Sequence, residues 1–185
     1  MRSYKYISML FATAFLIGCT ESLNNTNVFI DSKNPLHVEY ASSYIGLHER
    51  RNRDQIKTLV GVDPVRTEWC AAFLNAILKR QGIPGSESVS EAPLMARSFL
   101  EWGIGVDAPE YGDIVIFKRG TRGWQGHVAI YLGTVERNGR TYYRMLGGNQ
   151  NDSVNIMHYP ASKLIAIRRI DNSLQRVQGV KLTIR

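Results

Sequence analysis

The sequence predicts an α+β domain in which N-terminal helices pack on an antiparallel sheet. Apolar residues recur at helical spacing as far as Trp102, and from residue 113 onward the period changes to that of strands. Asn138-Gly139 stands between two of those strands and is a strong signal for a two-residue hairpin. Helices first and strands afterwards is the order of a helical layer laid on a sheet, not of alternating βαβ units.

In chain order, Val38, Ala41, Tyr44, Ile45 and Leu47 share one helical face, and the pattern fades at Glu49-Arg50-Arg51-Asn52. Ile56, Leu59 and Val60 predict a short second helix ended by Gly61. A third helix spans 67–81, with Cys70, Phe73, Leu74, Ile77 and Leu78 at i, i+3, i+4, i+7 and i+8. Thr67 is its expected N-cap, and Gly82 with Pro84 its stop. Ser90 is expected to cap a fourth helix through Leu94, Met95, Phe99, Leu100 and Trp102, halted by Gly103 and Gly105. Strands are predicted over 113–118, 127–132, 141–146, 154–159 and 164–170. Residues 171–185 read as a polar, basic tail or an edge strand at 180–184.

The first 19 residues have the layout of a secretory leader: Arg2 and Lys5, then an apolar run from Ile7 to Gly18 that is short for a membrane span. The following segment to residue 36 is rich in Asn, Ser and Thr and poor in core residues, as a flexible tether would be. The domain proper is expected over 37–170. A hydrophobic fraction of 44%, with 9 Tyr, 6 Phe and 3 Trp, suffices for a real core. The chain is basic, 23 Lys+Arg against 16 Asp+Glu, but no basic run exceeds a pair such as Arg50-Arg51. That scatter argues against a nucleic-acid groove and leaves an anionic polymer or a membrane surface open. The two cysteines and four histidines lack the close-spaced pairs of a zinc site, so neither metal nor cofactor is expected.

The chemistry centres on Cys70. In the first turn of a helix, unpaired N–H groups and the helix dipole favour a thiolate; the alternative is a small buried core residue. A thiol that attacks an amide needs a base, and the base needs a third group to hold its tautomer. Among His37, His48, His127 and His158, His127 is the best base. It opens a strand directly after Gly126, where a fixed backbone can hold a ring at a groove.

Four segments occur in order: Trp69-Cys70-Ala71-Ala72-Phe73, Gly112-Asp113-Ile114-Val115-Ile116-Phe117, Gly126-His127-Val128-Ala129-Ile130-Tyr131 and Gly147-Gly148-Asn149-Gln150. Together they resemble the CHAP group (cysteine, histidine-dependent amidohydrolases/peptidases), within the papain-like NlpC-type cell-wall hydrolases. The resemblance covers about residues 40–170. Leu16-Ile17-Gly18-Cys19 in turn resembles a bacterial lipobox, which would make Cys19 the lipidated first residue of the mature protein. Thr20 resembles the sorting pattern of outer-membrane lipoproteins.

The resemblance implies a papain-like fold with Cys70 as nucleophile and His127 as general base and then acid. Many CHAP domains carry a Glu where Gly147 stands here, so Asn149 is expected to orient His127, with Gln150 in reserve. The backbone N–H of Cys70 would help form an oxyanion hole. Glu68, Trp69 and Gln150 are candidate substrate contacts, Glu68 being equally readable as a first-turn helix acid. Trp69, Trp102 and Trp124 suit core or groove-wall positions, and Asp113 a structural turn. The implied activity is hydrolysis of amide bonds in peptidoglycan by a monomeric enzyme, lipid-anchored in the outer membrane and facing the periplasm. A non-catalytic wall-binding lipoprotein with a vestigial site, and a papain-like acyl or lipid hydrolase, are the alternatives.

Overall fold

The computed structural model describes residues 35–171. The leader, Cys19, nearly all of the tether and the edge strand expected at 180–184 lie outside the described residues. Three helices come first, α1 (Leu36–Ser42), α2 (Arg53–Val60) and α3 (Cys70–Arg80). Strands follow: β1 (Ile104–Gly105), β2 (Ile114–Lys118), β3 (Gly126–Arg137), β4 (Arg140–Gly147), β5 (Asn155–Pro160) and β6 (Leu164–Arg169). They form one six-stranded sheet in the order β1-β6-β2-β3-β4-β5, with antiparallel pairing throughout. Mixed helix and strand with an antiparallel sheet is the α+β layout expected.

Alternation along the strands divides the core in two. Ile114, Ile116, Val128, Ile130 and Leu146 join the helices, meeting Phe73, Leu74, Ile77 and Leu78 of α3. Phe73, Ile77 and Leu78 are no more than 1% exposed, and burying each such side chain contributes about 1.5–3 kcal/mol. The neighbouring strand positions Val115, Phe117, Ala129, Tyr131, Met145 and Ile167 gather in a second cluster, flanked by Tyr143 and Tyr159. The expectation of a sheet covered by helices on one side is thus incomplete, because a separate aromatic cluster occupies its other apolar positions.

The strands from β2 to β5 run as the expected meander. The last strand does not extend it: β6 returns to pair with β2 on the opposite side, and β1, too short to show in the sequence, pairs with β6. Asp113 fastens this return, taking hydrogen bonds from Arg169 Nε and Nη2 at 2.9 and 2.8 Å and from the Glu110 N–H at 2.7 Å. Its role is structural, as its position suggested. At the β3–β4 turn both Asn138 and Gly139 have positive φ, the requirement of the tight hairpin turn that matches strand twist.

Several helix limits differ from expectation. Leu36, expected to belong to the segment before the domain, already opens α1. That helix stops at Ser42, where the Ser42 and Ser43 hydroxyls bond back to the carbonyls of Val38 and Tyr40. The chain then turns at Gly46 (φ +97°), whose N–H donates to the Val154 carbonyl while the Val154 N–H donates to the Leu47 carbonyl. The fourth helix is reduced to a 3-10 segment, Ala96–Glu101. Pro93 interrupts its first half, because the residue before a proline is driven from helical geometry. Ser90 therefore caps no helix; its hydroxyl takes the Ala92 N–H in a local turn. The third helix begins at Cys70 rather than at Thr67, with Trp69 in the capping position.

Candidate active site

The N-terminus of α3 packs against β3, and this junction sets Cys70 against the backbone of Val128, the residue after His127, with Tyr159 close to both Cys70 and the His127 ring. Cys70 is the first residue of α3 and 4% exposed. The backbone N–H groups of Val128, the neighbour of His127, and of Ala71 lie near its thiol and favour the anion. Burial is the largest influence on it and pushes the thiol above its ordinary range, outweighing those donors and the nearby Arg119 charge. The expectation that the helix start would make Cys70 a resting thiolate is therefore corrected: nearby N–H groups do favour the anion, but lost hydration costs it more.

His127 is fully buried. Its Nε2 lies 3.0 Å from Gln150 Oε1. The Gln150 amide nitrogen faces only acceptors, Asn155 O at 2.6 Å, Asn155 Oδ1 at 3.1 Å and Met145 O at 3.3 Å. Its oxygen is therefore the atom turned to the imidazole, and it accepts the Nε2 proton. That fixes the tautomer and leaves Nδ1 with a lone pair, a buried atom with no hydrogen-bond partner. Tyr159 stacks flat on the ring, centroids 5.0 Å apart at 16°, with Phe117 stacked 5.0 Å from Tyr159. Tyr159 is also close enough for a charge on Cys70 to raise its phenol, which burial pushes up to about 12.

The third position must be corrected. Gln150, not Asn149, holds His127. Asn149 adopts a left-handed backbone (φ +57°), and its side-chain nitrogen donates to Glu68 Oε2 at 2.7 Å. One residue further on, the chain presents Gln150 to the imidazole instead. The turn also needs its glycines: a Cβ on Gly148 would stand 2.5 Å from Trp69 Cζ3 and 2.7 Å from Phe73 Cβ.

The candidate substrate contacts are also revised. Gln150 is 1% exposed and committed to His127, so it has no surface for a ligand. Trp69 is fully buried and donates its indole N–H to Glu49 at 3.3 Å. It is a core residue. Glu68 precedes the helix and is no first-turn acid; its side chain is 77% exposed and lies 3.5 Å from Arg119 Nη1. The other histidines are engaged elsewhere, His37 donating to Gly112 O at 2.7 Å and His48 accepting the Arg50 N–H. His158 lies in β5 opposite Arg144. Trp102 is buried, whereas Trp124 is 56% exposed.

Arg119 and Tyr159 were not legible as site residues. Arg119 follows a plain strand, and only the fold brings its charge to Cys70, His127 and Tyr159 together. Tyr159 is separated from His127 by two strand turns, and the neighbouring Pro160 gives no chemical cue.

Burial lowers His127 from 6.5 to about 4, with Gln150 opposing the shift and Arg119 adding to it. Between those values the unfolded chain binds a proton that the native chain refuses. Stability is therefore complete above about pH 6.5 and falls as pH drops toward 4, by about 3 kcal/mol for this group. His37, also lowered by burial, acts in the same direction. Urea unfolding between pH 4 and 7 is expected to show this slope, and His127→Gln to flatten most of it; an unchanged slope would contradict the assignment.

Compared with models of known protein families and with curated protein sequences, the chain matches none.

Proposed function

We propose that the protein is a papain-like cysteine hydrolase that cleaves amide bonds in peptidoglycan, with Cys70 as nucleophile, His127 as base and Gln150 as its orienter. The observation that carries this reading is the His127 ring: buried, its Nε2–H held by Gln150 and its Nδ1 unpartnered, on a strand whose next residue, Val128, turns its backbone N–H toward the helix-start Cys70. A core histidine would satisfy both nitrogens. A base keeps one free. The four-segment resemblance to CHAP domains supports the substrate, and the lipobox-like Leu16-Ile17-Gly18-Cys19 supports a lipid anchor in the cell envelope.

The resting pair is thiol and neutral imidazole, since burial disfavours both charged forms. Nδ1 takes the thiol proton as sulfur attacks the carbonyl carbon. The thiolate developing in that step is met by the Val128 and Ala71 N–H groups and the Arg119 charge, the imidazolium by Gln150 Oε1. The carbonyl oxygen, turning to oxyanion, is served by the Cys70 N–H at the open end of α3. The imidazolium then gives its proton to the leaving nitrogen as the C–N bond breaks, leaving a thioester. Water, deprotonated by His127, adds to it; the C–S bond breaks and the thiol regains its proton.

Purified peptidoglycan digested with the wild type is expected to release soluble fragments, identified by mass spectrometry, that Cys70→Ala does not release. Identical fragment profiles for the two proteins would refute the proposal.

A further inference from the structure

Glu68 and Arg119 form an exposed charged pair whose charges act on Cys70, and their surroundings are unequal. Glu68 is two residues before the nucleophile and is held by the 2.7 Å hydrogen bond from Asn149, itself 6% exposed. The same oxygen, Oε2, also faces Arg119 Nη1, at a loose 3.5 Å. The carboxylate thus keeps a tight partner if the guanidinium lets go. Arg119, 48% exposed in its side chain, has no other ion pair among the described residues.

Arg119 also sits on a prebuilt support. The connection 119–125 folds around the Gln125 amide, whose oxygen accepts the N–H groups of Thr121 at 3.0 Å and Arg122 at 2.9 Å. A Cβ on Gly120 would collide with that amide, and the Gln125 carbonyl is held by Arg97 Nε at 3.1 Å. The same loop presents the exposed Trp124. A guanidinium on a fixed loop, already facing one carboxylate, has the planar fork that suits another.

We propose that Arg119 is a specificity-determining residue that selects substrates with a free carboxylate beside the scissile amide. Glu68 occupies the guanidinium in the resting site and is retained by Asn149 when the substrate carboxylate replaces it. This rests on the hydrolase reading for its biological substrate, since stem peptides of peptidoglycan carry free carboxylates. Trp124 supplies an apolar wall on the same loop.

Two measurements test it. The first compares alkylation of Cys70 by iodoacetate and by iodoacetamide, nearly isosteric reagents differing in charge. Their rate ratio cancels thiol ionisation, which both reagents share. The ratio is expected to be about tenfold higher in the wild type than in Arg119→Gln, as one charge-assisted contact allows. It should be largely kept in Arg119→Lys and raised further in Glu68→Gln, which frees the guanidinium. Equal ratios in the wild type and Arg119→Gln would overturn the proposal. The second compares native peptidoglycan with peptidoglycan whose carboxylates have been amidated by carbodiimide and ammonia. The wild type should release about tenfold less from the amidated wall, and Arg119→Gln should not distinguish the two. Equal release by the wild type from both walls overturns carboxylate selection while leaving the hydrolase intact. No release from either wall, with the alkylation ratio as expected, overturns the peptidoglycan reading and upholds carboxylate selection at Arg119.

Discussion

His127→Ala is expected to slow amide cleavage by about 10²–10⁴-fold, the range that a positioned acid–base group contributes. The loss should fall mainly on kcat, because the imidazole lies fully buried beneath Tyr159 and presents little surface to a bound substrate. The pH profile gives an independent check. With His127 lowered to about 4, the base is already unprotonated at pH 5. The acid limb of kcat/KM should then lie near pH 4 rather than near the ordinary imidazole range, and it should vanish from whatever residual activity the alanine variant keeps. An acid limb near pH 6.5 in the wild type would show that the base is a more hydrated group than His127.

The second large effect separates the two amides of the Gly-Gly-Asn-Gln turn. Gln150→Leu removes the acceptor of the His127 Nε2 proton and leaves a buried donor unsatisfied, a cost of about 1–3 kcal/mol. If that cost is felt as the imidazolium forms, kcat falls about 10–100-fold with KM little changed. Gln150→Glu should restore much of the rate and move the acid limb upward, since a carboxylate favours the protonated ring. Asn149→Ala touches Glu68 instead, so its kcat should stay within a few-fold of wild type. If Asn149→Ala proves the more damaging change, Asn149 is the orienter after all.

The contrast between these amides shows what the sequence could and could not convey. Period and residue type locate α3, the strands of the meander and the Asn138-Gly139 turn, because each is decided by local preference and one buried face. The pairing of β6 with β2 depends on a return between residues 113 and 169, and no local pattern announces it. In the site, Cys70 and His127 are legible because a helix start and a strand start each restrict where a side chain can go. The choice between Asn149 and Gln150 rests instead on one positive φ, and a shift of one position exchanges the two amides. The ionisation of Cys70 was misjudged for a related reason. A helix start is visible in sequence, whereas the burial that opposes it comes from a core gathered from segments as distant as Ile130 and Leu146.

That burial has a consequence for how long the nucleophile survives. Peroxides and disulfides consume thiolates, and a cysteine that rests ionised is exposed to them throughout its life. Cys70 rests as a covered thiol, and under the proposed mechanism it becomes an anion only as its proton moves to His127. Under that mechanism, such a site in oxidising surroundings holds its reactivity back until a carbonyl is in place, and the sulfur is spent on substrate rather than on the medium.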